Sequence, residues 1–252
     1  MAGTDESVSV PTEQVIPAVI LVDSQLGENI GMVARAMLNC GLTDLRLVRP
    51  RDGWPNAKAV SAASGADSVI EDARLFSTTE DAIADLSFLY AATARDRDMT
   101  KRVVTPDACA CEIRAKGSTG CGILFGGEAK GLKNNDIALA DTILMVPLNP
   151  GFTSLNLAQA VLLVAYEWYK LSDGTPADIL PMQSSRPANK KELIGLFGHL
   201  ESALDDSGFF HIREKKPIMA RNLRNLLQRA APTEQEVRTL RGVIKSLFNH
   251  HG

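Results

Sequence analysis

Five short apolar runs, 17–22 (PAVILV), 44–48 (DLRLV), 87–93 (SFLYAAT), 122–126 (GILFG) and 142–148 (TILMVPL), recur along the first two thirds of the chain, separated by amphipathic stretches. Each has strand length and is apolar nearly throughout instead of alternating, which is the pattern of a strand covered on both faces. The stretches 28–40, 56–64, 79–85, 106–116 and 133–140 carry helical spacing. Such alternation predicts an α/β body with a mostly parallel sheet and helices on both faces. Ligands of open α/β sheets bind outside the carboxyl ends of the strands, so the segments that follow the runs are the place to look for chemistry.

After the last run a long helix is expected from Ser154 to Lys170. The segment 172–189, rich in Pro, Ser and Asp, then reads as a linker. Segments 189–205 and 217–249 have helical spacing and no strand signal, which makes a small helical extension. The expected division is a flexible N-terminus at 1–16, a body at 17–171, a linker at 172–189 and a basic extension at 190–252. The 252 residues are 45% hydrophobic and 23% charged, enough for one ordinary domain with an appendage, and they fit no disordered or fibrous class. The polar, slightly acidic start lacks the features of a signal peptide, and no apolar run approaches the roughly 20 residues of a membrane span. A cytoplasmic protein without a membrane partner is expected. Cys40, Cys109, Cys111 and Cys121 have the spacing of neither a disulfide framework nor a pair of zinc knuckles, and reduced structural thiols are expected.

The net charge of −3 hides an asymmetry. Residues 1–185 carry 15 Lys and Arg against 23 Asp and Glu, whereas residues 186–252 carry 12 against 7. A basic tail on an acidic body suggests a polyanionic partner, and a solvated helical face is the plain alternative. All four histidines lie in the tail, so the body has no His-based triad and no His-ligated metal of its own.

Three segments at strand-to-helix junctions stand out. In 29–41 (NIGMVARAMLNCG), Ile30, Val33, Ala34, Met37 and Leu38 form one apolar stripe, and Gly41 suits the C-terminal cap. Arg35 lies about 140° around the helix from Ile30 and points away from that stripe. On this segment alone, Asn29 could be a helix cap and Arg35 a solvated charge. In 122–132 (GILFGGEAKGL) a strand ends at Gly126, Gly127 and Glu128. Adjacent glycines there permit a close backbone approach, although neither a Walker loop nor the dinucleotide fingerprint is present. A tight turn with an incidental surface acid is the competing account. In 145–167 a turn-rich loop leads past Ser154 and Asn156 into a helix apolar nearly all round. One of those two residues would cap it, and the helix is buried either within the monomer or against a second copy.

In that order the three segments resemble the SpoU/TrmH branch of the SPOUT methyltransferases, whose motifs run N-x-G-x-x-x-R, then F-G-x-E-x-x-G, then I-P-[ML] followed by [ST]-L-N-[LV]-[AS]. The matching positions are Asn29, Gly31 and Arg35, then Phe125, Gly126, Glu128 and Gly131, then Pro147, Ser154, Leu155, Asn156 and Ala158; Val146 replaces the commoner Ile. Within the branch the likeness is closest to the TrmJ group of tRNA (cytidine/uridine-2′-O)-methyltransferases acting at anticodon-loop position 32. It extends into the tail through 201–210 and 233–244.

The resemblance implies a C-terminal trefoil knot in the body, S-adenosylmethionine (AdoMet) as cofactor, no metal, and a homodimer whose active site uses both subunits. It assigns Asn29, Arg35, Glu128 and Asn156 to the catalytic site, with Arg35 at the ribose 2′-hydroxyl. Cofactor contacts fall to Thr93, Ala94 and Arg95, to Gly126 and Gly127, and to Val146, Thr153, Ser154 and Leu155. The implied partner is RNA, most readily tRNA, met by Lys215, Lys216, Arg221, Arg224, Arg229, Arg238 and Arg241 of the tail. Methylation of ribosomal RNA or of another tRNA site is the alternative within this class. A non-catalytic RNA-binding factor should lack one of Arg35, Glu128 and Asn156, and all three are present. A dinucleotide-dependent oxidoreductase would need the glycine fingerprint that is missing.

Overall fold

The computed structural model describes residues 16–95, 99–117, 120–178, 181–182 and 184–249, so the expected flexible N-terminus lies outside the described residues but for Ile16. The chain divides into two compact units, one ending at Gly174 and the other beginning at Thr175.

In the first unit seven strands make one all-parallel sheet: β1 (Ala18–Val22), β2 (Leu45–Val48), β3 (Arg74–Phe76), β4 (Phe88–Ala92), β5 (Arg102–Val104), β6 (Cys121–Gly126) and β7 (Thr142–Leu144), in the order β3-β2-β1-β6-β4-β7-β5. The helices around it are α1 (Gly27–Asn39), α2 (Ala57–Ala63), α3 (Asp67–Glu71), α4 (Thr79–Ile83), α5 (Pro106–Ala115), α6 (Asn134–Leu139) and α7 (Leu157–Lys170). The continuous apolarity of the runs has its cause here. Successive β1 residues serve opposite cores, Val19 and Leu21 packing with Ile30, Val33 and Val161, while Ala18, Ile20 and Val22 pack with Ala82 and Ile137.

Three elements carry no advance signal. β3 and β5 are the sheet edges, three residues each and each opening on an arginine, as edges that must not recruit another strand often do. The five-residue α3 is too short to show a period. The run 142–148 is a correction: strand pairing stops at Leu144, the Met145 N–H makes a final bond to the Val104 carbonyl at 2.9 Å, and Pro147 has no N–H to extend the ladder. The helix expected from Ser154 begins at Leu157, because Asn156 caps it, its side chain accepting from the Ala158 N–H at 2.8 Å.

Helix α1 forms as its stripe predicts. Gly41 adopts φ 72° just beyond its end, and the Leu42 N–H reaches back to the Met37 carbonyl at 2.9 Å. Gly31 is dictated by packing, since a Cβ there would lie 2.1 Å from the Ala59 carbonyl oxygen of α2. Helix α7 divides the two accounts of its burial. Leu157, Val161, Val164, Ala165 and Trp168 are buried within the unit, whereas Leu162, Leu163, Tyr166 and Tyr169 are exposed.

The second unit contains α8 (Lys190–Asp206), α9 (Lys216–Arg229) and α10 (Glu234–Asn249) around a small core of Leu193, Leu196, Phe197 and Val237. The stretch 217–249, read as having helical spacing without a strand, is two helices separated at 230–233. Ala231 takes φ 46° there, Pro232 follows, and the Thr233 side chain caps α10 by accepting from the Glu236 N–H at 3.3 Å. The four cysteines form no disulfide. Burial raises Cys40 to about 11 and also pushes Cys109 well up, so both stay protonated as core residues.

Candidate active site

The register of the sheet brings the sequence-selected segments together. Val22 pairs with Gly126, Phe125 with Ala92, and Ala92 with Leu144, so the carboxyl ends of β1, β6, β4 and β7 lie side by side. Beyond three of them opens a cavity of about 350 Å³. Thr93, Ala94 and Arg95 line it after β4, and Gly126, Gly127 and Glu128 after β6. Val146, Thr153, Ser154 and Leu155 line it from the loop before α7. All nine residues that the resemblance assigned to a cofactor therefore border one space.

The glycines are fixed by backbone, not by habit. A Cβ on Gly126 would lie 2.1 Å from both the Gly131 carbonyl carbon and the Leu132 nitrogen, and one on Gly127 would lie 2.2 Å from the Asp23 carbonyl oxygen. The Gly131 N–H closes the loop onto the Gly127 carbonyl at 2.8 Å, with Gly131 at φ 67°. The loop is thus a tight turn that presents main chain to the cavity at Gly126 and Gly127.

Beside the cavity three side chains from distant parts of the chain form one connected unit. The Asn29 amide donates to Glu128 Oε1 at 2.6 Å, and Asn156 donates to Asn29 Oδ1 at 3.0 Å. Asn29 is therefore no helix cap: it is buried inside the first turn of α1, with Leu26 at the cap position. Asn156 has two duties, capping α7 and anchoring Asn29. Nor is Glu128 an incidental surface acid. It also accepts from the backbone N–H of Gln25 at 2.8 Å and of Leu26 at 3.4 Å. These two donors had no signal in the sequence, because they act through the main chain of the turn after β1.

Burial acts to raise the Glu128 pKa, but the Asn29 amide and the backbone N–H groups of Glu128, Gln25 and Leu26 outweigh it and hold the carboxyl below its usual 4.5. At neutral pH the group is a carboxylate committed to donors, an orienting element and a weak proton acceptor. Because the folded value is the lower one, its stabilising contribution is complete above 4.5 and disappears as pH falls through the depressed folded value. Thermal melts should therefore show wild type more stable than Glu128→Gln at neutral pH, with the gap closing below pH 4.5. A gap independent of pH would contradict this ionisation.

Arg35 is not brought to the cavity of its own chain. It is exposed on α1, two turns beyond Asn29, with no hydrogen-bond or ion-pair partner among the described residues. Lys130, unremarked in the sequence, lines the cavity and is exposed. In the tail, Lys216, Arg224 and Arg238 hold ion pairs with Asp205, Glu201 and Glu234. Lys215, Arg221, Arg229 and Arg241 have no such partner among the described residues and remain available as cations.

An all-parallel sheet with a glycine-cradled cavity and an Asn–Glu–Asn unit at its carboxyl edge is the arrangement the SpoU-type motifs lead to. The chain belongs to the SpoU rRNA methylase family, which matches residues 17–166, and residues 191–250 match the C-terminal domain of the tRNA methyltransferase TrmJ. Among curated proteins it is 34% identical over 235 residues to the tRNA (cytidine/uridine-2′-O-)-methyltransferase TrmJ of Salmonella typhimurium, covering 91% of this chain and 95% of the relative. It is equally 34% identical, over 237 residues, to the tRNA (cytidine/uridine/adenosine-2′-O-)-methyltransferase TrmJ of Pseudomonas aeruginosa, covering 90% and 91%. Among solved structures, TrmJ from Z. mobilis ZM4 superposes with a TM-score of 0.82 at 52% identity, covering 92% of this chain and 99% of the other.

Proposed function

We propose that this protein is an AdoMet-dependent tRNA ribose 2′-O-methyltransferase, acting on cytidine or uridine at position 32 of the anticodon loop in the cytoplasm. The observation that carries the reading is the Asn29–Glu128–Asn156 unit standing beside a glycine-cradled cavity, in a chain that matches TrmJ proteins along nine tenths of its length. The cavity suits the cofactor: about 350 Å³ is within the usual range of roughly 300–1,000 Å³ for ligand pockets. Its floor is main chain where any Cβ would intrude. The loops at 93–95, 126–131 and 146–155 hold AdoMet there, and we place the trefoil knot in the segments that carry the last two of them.

Bound AdoMet supplies a methyl group activated on a sulfonium. What remains for the protein is to place a ribose hydroxyl in line with it. The Asn29–Glu128–Asn156 unit fixes the wall of the site. Arg35 clamps the 2′-hydroxyl and its neighbouring phosphate. A guanidinium offers donors and no acceptor, and Glu128 is committed to its own donors, so the hydroxyl proton leaves to water or to phosphate.

A homodimer completes the site. Met32 of α1 and Leu162, Leu163, Tyr166 and Tyr169 of α7 are exposed on two helices that pack on each other, an apolar surface that a second copy covers. That dimer carries Arg35 to the cavity of the partner. The unpaired tail cations Lys215, Arg221, Arg229 and Arg241 meet the tRNA backbone, with a salt-dependent affinity.

The test is methyl transfer from labelled AdoMet to unfractionated tRNA and to ribosomal RNA, with nucleoside mapping. Cytidine or uridine 2′-O-methylation at position 32 is expected. Label confined to ribosomal RNA would overturn the substrate, and binding of AdoMet without transfer to either RNA would favour a non-catalytic RNA-binding factor.

A further inference from the structure

A group of charged side chains behind the cavity is used by none of the steps above. Asp23 directly follows β1 and takes φ 53°, a left-handed conformation that aspartate tolerates better than most residues. Its N–H bonds to the Val48 carbonyl at 2.9 Å, and its own carbonyl oxygen is the atom on which Gly127 closes. Its carboxylate accepts from Arg49 Nε at 2.9 Å and from Lys133 Nζ at 2.8 Å.

Arg49, directly after β2, is also left-handed at φ 48°, and its guanidinium lies 3.9 Å from Asp136. Asp136 in turn accepts from the Thr79 hydroxyl at 2.6 Å and from the Lys133 N–H at 3.3 Å. Two residues beyond Asp23, the Gln25 N–H holds Glu128. The turn after β1 is thereby tied to the glycine loop at Gly127 and Glu128, and to Lys133, two residues past its end. Asp23, Arg49 and Lys133 do not line the cavity themselves.

We infer that Asp23 is a positioning residue for the cofactor cavity, clamping the 126–131 loop from behind through Gly127 and Lys133. The inference rests on reading that cavity as the AdoMet site. Stability is not a sufficient reason for the cluster. The side chains of Asp23, Arg49 and Lys133 are 32%, 39% and 68% exposed, and ion pairs that wet contribute little to folding. Two consecutive strand ends held in left-handed conformations by non-glycine residues are a local cost that persists where geometry is needed. The clamp fixes the shape of a loop whose backbone is the binding surface, and such a surface is effective only when it is preorganised.

The experiment is AdoMet binding by calorimetry, together with methyl-transfer kinetics and thermal melts, for wild type, Asp23→Asn, Lys133→Ala and Lys133→Arg. Asp23→Asn and Lys133→Ala should each weaken AdoMet binding and raise its KM about tenfold, on the scale of one member of a connected network. The kcat at saturating AdoMet and the melting temperature should stay near wild type, and Lys133→Arg should restore binding. Lys133 is an exposed side chain, so its variants report even if Asp23→Asn folds poorly. Unchanged AdoMet affinity in Lys133→Ala, or a lowered melting temperature with KM unmoved, would overturn the inference alone. A wild-type chain that binds no AdoMet would instead overturn the functional reading on which it rests.

Discussion

Gly126→Ala is expected to abolish AdoMet binding and with it all methyl transfer. The added carbon would sit 2.1 Å from two main-chain atoms, of Gly131 and Leu132, and neither can rotate aside as a side-chain tip could. The loop must open for the variant to fold at all, at a cost on the order of 1–3 kcal/mol typical of overpacking. Opening it removes the backbone cradle and displaces Glu128, two residues on, from Asn29. Calorimetric titration with AdoMet is the direct check, with Gly174→Ala as a control, since a Cβ at Gly174 meets nothing within 4 Å. Retention of wild-type affinity in Gly126→Ala would show that the cavity does not hold the cofactor through its backbone.

Arg35→Ala should lower the methyl-transfer rate by roughly 10²–10³, the loss seen when one charge-stabilising donor is removed from a reacting centre, while the melting temperature stays the same. The two halves have separate physical causes. Arg35 is exposed and makes no ion pair among the described residues, so folding loses nothing with it. Its guanidinium is left for substrate. AdoMet affinity should also be unchanged, because the cofactor is held by the loops at 93–95, 126–131 and 146–155 while Arg35 is assigned to the ribose hydroxyl. If Arg35 acts across the dimer, mixed dimers of Arg35→Ala and Glu128→Ala chains should regain activity, since one of the two sites then has both residues. Undiminished transfer by Arg35→Ala would remove it from the mechanism.

How far the sequence could be read depends on what each residue does. Runs such as AVILV at β1 were legible because burial on both faces leaves no polar position to confuse the pattern. The edges β3 and β5 were not, since three residues beginning with arginine look like surface. In the site, Gly126, Gly127 and Glu128 stood out through their residue types, yet the reason for Gly127 is a carbonyl of Asp23 in another loop, which no local pattern encodes. Asn29 looked like a helix cap, and so did one of Ser154 and Asn156. Only Asn156 is one, and only the fold shows that the two side chains meet. Glu128 owes much of its charge state to main-chain donors at Gln25 and Leu26, and the identity of those two residues is immaterial to that role. The tail was readable as basic and helical, but not as divided between cations neutralised at home and cations left over.

The contacts that build the site also govern when it can exist. Gln25 is 103 residues from Glu128, Asn29 is 99 residues from it, and Asn156 lies a further 28 along the chain, 127 residues from Asn29. β1, the earliest in sequence of the described strands, has the late strand β6 as one of its two neighbours. Pairings this remote in sequence form slowly, and no fragment that stops short of Asn156 holds the whole constellation. A nascent chain that has not yet reached Asn156 therefore lacks the last member of the site, and AdoMet capture can serve as a clock for the last events of folding.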